Sequence, residues 1–181
     1  MLRTLDRIKA ADEAWLSDPE IFMVNRLDAH SDHMYYEDKD AMYGDEMPLR
    51  QSLNGTWKIN YAVNIEASDR DFYKEDRDAT LYDDIKVPGH MELQGFGRCQ
   101  YINTMYPWEG SEDLRPPHIP REDAPVGCYV RYFDINPELA GKRTFISFQG
   151  VENAFYLWIN GQFVNCGQYD DYPSDVFGPR S

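Results

Sequence analysis

This sequence predicts an all-β fold, an antiparallel β-sandwich of jelly-roll topology, preceded by a partly helical N-terminal arm. Three observations predict it. From Arg50 onward, short runs of alternating apolar and polar residues are separated by turn residues, with no helical segments between them as βαβ units would require. Asn160-Gly161 stands between two alternating runs, and a type I′ hairpin turn needs positive φ at both central positions. Aromatic residues make up 14% of the 181 residues, many beside polar neighbours, which suits strands carrying rings on their faces.

The elements follow in order. Leu2, Leu5, Ile8 and Ala11 fall at helical spacing, so residues 1–20 read as a helix stopped by Ser17-Asp18-Pro19. Residues 21–47 are polar and irregular, yet too rich in Tyr, Phe and Met for a disordered linker, and read as an extended arm that packs on something. Trp57, Ile59 and Tyr61 alternate on a strand after the turn at Asn54-Gly55. Ile65 to Asp84 is charged and reads as loop or short helix around Phe72 and Tyr73. Ile85 to Val87 is a strand with a Pro88-Gly89 stop. Residues 91–127 hold five prolines and few strand signals, a long ordered loop region of the kind that tends to be functional. Gly127–Ile135 and Arg143–Gln149 read as strands, and the hairpin follows. On its first strand Phe155, Leu157 and Ile159 point to one face, and Tyr156, Trp158 and Asn160 to the less greasy one. Gln168 to Ser174 reads as an acidic, aromatic loop. The chain therefore divides into an arm, 1–47, and a β-domain, 48–181.

Charge narrows the function. Eighteen basic against 32 acidic residues give a net charge of −14, which argues against nucleic acid and against an anionic membrane surface. No apolar run approaches the roughly 20 residues of a membrane helix, and the N-terminus lacks a secretory signal pattern. Cys99, Cys128 and Cys166 show neither metal nor framework spacing and read as reduced thiols of a cytoplasmic protein. Asn54-Gly55-Thr56 matches a glycosylation sequon and reads as a turn.

Few residues invite catalysis. Asp83-Asp84, Glu112-Asp113 and Glu122-Asp123 are adjacent carboxylates, which on a strand point to opposite faces. Retaining sugar hydrolysis needs two carboxyls about 5–5.5 Å apart on either side of the sugar, so these pairs read as solvated charge. His30, His33, His90 and His118 lack metal-ligand spacing. Trp57, Tyr156 and Trp158 suit either sheet packing or stacking on a sugar face.

Six motifs in order carry a family resemblance. Asn25-Arg26-Leu27-Asp28-Ala29-His30-Ser31 resembles N-R-x-P-A-H-S, with Asp28 where Pro is usual. Leu53-Asn54-Gly55-Thr56-Trp57 resembles a first strand. Val87-Pro88-Gly89-His90-Met91-Glu92 resembles V-P-x-x-W-E/Q, with Met91 where Trp is usual. Tyr101 to Pro107 resembles Y-x-N-x-x-Y-P, Gly127 to Phe133 resembles G-x-Y-x-R-x-F, and Gly150 to Gly161 resembles G-V-x-x-A-F-x-x-W-x-N-G. Together they resemble the arm and sugar-binding domain of the β-galactosidases of glycoside hydrolase family 2, over about residues 20–176.

The resemblance implies a galactose-binding-like jelly roll, C-terminally truncated here, that lies over a TIM-barrel catalytic domain. Both the acid/base and the nucleophile Glu would lie in that barrel, beyond this chain, so no catalytic residue and no metal ligand is expected among these 181 residues. A barrel needs about 250 residues of its own. The whole enzyme would hydrolyse terminal non-reducing β-D-galactose with retention, while the fragment alone would be inactive. Asn103 matches the family position whose amide reaches the galactose site, and an amide both donates to and accepts from sugar hydroxyls. The competing reading has Asn103 satisfying backbone groups in a turn. Tyr101 lies on the same segment. Alignment on Pro173-Ser174 puts Tyr169 where the family has an Asp near substrate and sodium, and a one-residue bulge would present Asp170 instead. Expected partners are a galactoside, the missing catalytic domain and further copies of the full-length chain. Magnesium and sodium are expected only in that full-length enzyme. Two other functions fit the same residues, a stand-alone carbohydrate-binding module and a truncated gene product without activity.

Overall fold

A computed structural model of the chain describes residues 8–28, 34–44, 47, 49–99, 114–115, 117–170 and 174–177, with backbone alone for 168–170 and 174–177. Strands dominate, as the all-β class requires. They are β1 (Met23–Val24), β2 (Gly55–Ala62), β3 (Asp83–Val87), β4 (Val126–Val130), β5 (Phe145–Phe148), β6 (Val151–Ile159), β7 (Gln162–Asp170) and β8 (Ser174–Phe177). The one α-helix among the described residues is α1 (Lys39–Gly44); short 3-10 turns cover Glu13–Ser17, Glu92–Gln94 and Pro137–Leu139. The chain divides into two compact units. One comprises the described residues of Met1–Asp12, Glu20–Ser52 and Phe133–Ser181, the other Glu13–Pro19 and those of Leu53–Tyr132.

The second unit is built on the antiparallel sheet β3-β2-β4. Trp57 pairs with Ile85 and Ile59 with Tyr129, so the alternation legible in β2 sets the core face. Ile59 and Ile85 are fully buried there. Trp57 closes the turn before β2 by donating its Nε1–H to Leu53 O at 2.8 Å. The Tyr129 ring lies over Gly127, where an added Cβ would meet a ring carbon at 2.7 Å. A side chain at 127 would displace that ring, which explains the glycine in the G-x-Y pattern.

The loop between β2 and β3 is a run of turns rather than a helix. Asn64 and Asp78 cap turns through Ala67 N and Thr80 N, at 2.9 and 2.8 Å. Its hub is Asp69, whose side chain is 12% exposed. The Asp69 carboxylate accepts from Tyr82 Oη, from the Arg77 guanidinium (Nε at 2.6 Å) and from Asp71 N at 3.1 Å. Its backbone carbonyl accepts from the buried Cys128 thiol at 3.8 Å. Burial pushes the Asp69 carboxyl up, but the bonds from Tyr82, Asp71 and Arg77 outweigh it and hold it below the usual carboxylate range. β4 ends at Val130, five residues short of the strand expected to reach Ile135. Arg131 instead turns its guanidinium onto Thr56 O.

The first unit holds the sheet β1-β7-β6 and the pair β5-β8. Of the helix expected over residues 1–20, residues 1–7 lie outside the described residues, and the remainder departs from it. Residues 8–12 are not helical, and only Glu13–Ser17 forms a 3-10 turn. Asn25 supplies the reason. Its side chain accepts from Ile8 N at 3.1 Å and donates to Ile8 O at 2.8 Å, taking both backbone groups a helix would use. Asn25 itself has φ +58°, which ends β1 after two residues. The supposedly irregular 21–47 segment contains that strand and α1, which is capped by Asp38 Oδ1 accepting from Ala41 N at 2.9 Å. Near the C-terminal end, the expected loop from Gln168 begins as strand. β7 runs to Asp170, and Ser174–Phe177 pairs with β5 in a strand the sequence reading missed.

Candidate functional site

The hairpin β6–β7 is the described part of the site region. Asn160 and Gly161 have φ +49° and +71°, and Ile159 faces Gln162 across the two-residue turn. Beyond the turn the register shifts. Trp158 pairs with Phe163 and Leu157 with Asn165, leaving Val164 as an extra residue in β7. The bulge resets the pleat, so Phe163 and Cys166, three positions apart, share the face of Tyr156 and Trp158. Ring centroids on that face lie 6.0 Å (Tyr156–Trp158), 5.8 Å (Trp158–Phe163) and 6.5 Å (Tyr156–Phe163) apart.

This aromatic face is committed to packing. Tyr156 donates its hydroxyl to Asp12 O at 2.9 Å, tying the residues before Glu13 to the hairpin. Burial, then the neighbouring Cys166, pushes the Tyr156 phenol well above its usual range. Burial likewise pushes the Cys166 thiol up to about 11. Trp57 spends its N–H on Leu53. Of the two readings of these aromatics, sheet packing is the one their bonds support.

On the opposite face, Phe155 packs on Phe148 of β5 with centroids 5.5 Å apart. Asn165 shares that face with Leu157 and is fully buried, and neither its Oδ1 nor its Nδ2 finds a hydrogen-bond partner among the described residues. Sequence reasoning missed it. An Asn amid alternating apolar residues of a strand is the signal that could have found it.

Of the expected sugar-binding residues, Tyr101 and Asn103 lie outside the described residues. Asp170 is the last residue of β7, with its Cα opposite Val151, and Tyr169 precedes it in the same strand. Asp170 thus stands at the end of the hairpin remote from Asn160-Gly161. A second irregularity lies there, since Val151 pairs with Asp170 and Ala154 with Gln168, which leaves one extra residue of β6 between the two pairs.

The acidic pairs behave as solvated charge where they are described. Asp84 makes an exposed ion pair with Lys58 at 2.8 Å, and Asp123 one with Arg98 at 2.7 Å. No group of three or more His, Cys, Asp or Glu able to hold a metal ion occurs among the described residues. No helix among them is long and apolar enough to cross a membrane. In the second unit a cleft of about 700 Å³ opens between the Glu13–Ser17 turn, Ile65-Glu66 and residues 114–115 and 118–121; Arg115, His118 and Arg121 line it. The sequence reading passed over this basic run because its residues carry no motif.

Strand content, the type I′ hairpin and the bulged aromatic β7 define a β-rich module. The comparison with known families sharpens that class. Residues 50–177 match the family described as glycosyl hydrolases family 2, sugar binding domain. The chain belongs to this family. It is 54% identical over 166 residues to a β-galactosidase of Clostridium acetobutylicum, covering 91% of this chain and 18% of that protein. It is 52% identical to a β-galactosidase of Halalkalibacterium halodurans, covering 92% of this chain and 16% of that protein. It is 44% identical to the β-galactosidase large subunit of Leuconostoc lactis, covering 91% of this chain and 28% of that subunit. The chain thus spans less than a third of the length of these curated relatives.

Proposed function

We propose that this chain is the sugar-binding part of a retaining β-galactosidase that hydrolyses terminal non-reducing β-D-galactose, with both catalytic carboxylates supplied by the catalytic domain of the full-length enzyme. The observation that carries the reading is the family match over residues 50–177, joined to 54% identity with a β-galactosidase over 91% of the chain. In this reading residues 1–47 form the arm and 48–181 the jelly-roll domain. Asn103, Tyr101 and Asp170 contact the galactose. Asn103 is supported by chemistry, since an amide serves hydroxyls that both donate and accept. Asp170 is supported over Tyr169 because a carboxylate, unlike a phenol, accepts from several sugar hydroxyls at once. The full-length enzyme works as an oligomer with magnesium and sodium. Three unpaired cysteines support a reducing, cytoplasmic compartment.

Two measurements test this. The purified 181-residue chain is expected not to turn over a chromogenic β-galactoside, and turnover free of host enzyme would sink the division of labour. In the full-length enzyme, Asn103→Ala is expected to lower kcat/KM for the galactoside about tenfold, the cost of one lost hydrogen bond of about 1–1.5 kcal/mol. An unchanged kcat/KM would return Asn103 to a turn-forming role.

A further inference from the structure

The turn of the β6–β7 hairpin sets an exposed amide side chain beside an open backbone nitrogen. Asn160 is exposed, and Gly161 follows it. A residue without a side chain at 161 leaves its nitrogen open to close approach. Attack of that nitrogen on Asn160 Cγ closes a five-membered imide. The bond from Gly161 N to Cγ forms, the bond from Cγ to Nδ2 breaks, and ammonia leaves with the proton of the Gly161 amide. Water then opens the ring. Opening at Cγ leaves an aspartate. Opening at the main-chain carbonyl leaves an isoaspartate, whose backbone is one atom longer.

The fold decides when this reaction can run. Asn160 and Gly161 have φ +49° and +71°. These are the left-handed angles of a type I′ turn, where ψ lies near about +47°. At that ψ the Gly161 nitrogen stands anti to the Asn160 Cβ and so is turned away from Cγ. Ring closure therefore requires rotation about ψ of Asn160, which parts Ile159 from Gln162, the pair that closes the turn. The other Asn-Gly pair, Asn54-Gly55, is held more firmly. Gly55 opens β2, the middle strand of its sheet. Thr56 beside it is bonded from both sides, by the Arg131 guanidinium to its carbonyl and by Lys86 Nζ to its hydroxyl at 2.6 Å. We infer that Asn160 is a self-modification site, protected while the hairpin is closed and converted to aspartate and isoaspartate when it opens. The products put a carboxylate at the turn, and the isoaspartate adds a main-chain atom where Ile159 faces Gln162. The site is independent of the galactoside reading.

Incubation of the full chain in mildly alkaline buffer, followed by peptide mapping with mass spectrometry, tests this. The peptide containing Asn160 is expected to gain the mass of an amide-to-acid conversion in the native chain, ahead of the peptide containing Asn54. In urea above the unfolding transition the conversion is expected to run about tenfold faster or more, because opening of the hairpin no longer limits it. Asn160→Gly leaves a Gly-Gly turn that suits type I′ geometry, and is expected to abolish the gain while the chain stays folded. The separated isoaspartate form is expected to melt below the unmodified chain. No conversion at Asn160 in the native chain, equal rates in native buffer and urea, or earlier conversion at Asn54 each overturns the inference.

Discussion

At Asp69, burial and hydrogen bonding pull in opposite directions, and bonding prevails. Desolvation alone would favour the neutral acid, but Tyr82, Asp71 N and Arg77 stabilise the carboxylate and depress its pKa. A depressed folded-state value means the unfolded chain takes up the proton first as pH falls. The stabilisation is therefore complete above the unfolded carboxyl value of about 3.9 and is lost as pH drops through the lower folded value. Asp69→Asn is expected to cost about 1.5–3 kcal/mol at pH 7, the range for hydrogen bonds to charged groups. It should also flatten the acid limb of the stability curve. Urea midpoints at pH 7 and pH 3.5 check both. Asn165 is the opposite case, a buried amide with no partner among the described residues to offset its lost hydration. Asn165→Val keeps a strand-forming shape and removes both unsatisfied atoms, so it is expected to stabilise by about 1 kcal/mol. A lower urea midpoint for the variant would mean that the amide has a partner in solution.

Among elements, the β6–β7 hairpin was the most legible in the sequence because its signal is local. Asn160 and Gly161 adopt the positive φ angles that their residue types tolerate, and Ile159 and Gln162 close the turn. Replacing both with Ala is expected to destabilise by about 2–4 kcal/mol, since a Cβ at positive φ costs about 1–2 kcal/mol per residue outside Gly and Asn. A thermal melt of the variant measures it, and an unchanged Tm would mean the turn does not set the register. What the sequence did not reveal is non-local. From Ile8 onward the expected helix gives way to Asn25, which takes both backbone groups of Ile8 from 17 residues away. The bulge at Val164 cannot be read from alternation, because an extra residue shifts every later side chain to the other face. β8 was missed because Ser174–Phe177 is a strand only through its pairing with β5. Of the site residues, Asp170 could be placed on a strand end, whereas Tyr101 and Asn103 fall outside the described residues.

For the whole molecule, the three cysteines give a probe of each unit. Cys99 is exposed, while Cys128 and Cys166 are buried, Cys128 beneath the Asp69 loop of the second unit and Cys166 beneath Tyr156 in the first. Burial pushes both buried thiols up to about 11, so near pH 8 almost none of either is thiolate, the form that attacks a disulfide reagent. Both effects act in the same direction, since the reagent cannot reach a thiol that is also protonated. The native chain at pH 8 is therefore expected to release one equivalent of thionitrobenzoate from an aromatic disulfide reagent, from Cys99, and three equivalents in denaturant. The raised values also set a sign for alkaline pH. The unfolded thiols ionise near 8.5 while the folded ones keep their protons, so stability is lost as pH rises from about 8.5 toward 11. Slow labelling of Cys128 and Cys166 at intermediate urea then reports the opening of each unit separately, because exposure of either requires its own core to part. Rapid labelling of all three thiols in the native chain would contradict the burial of both units.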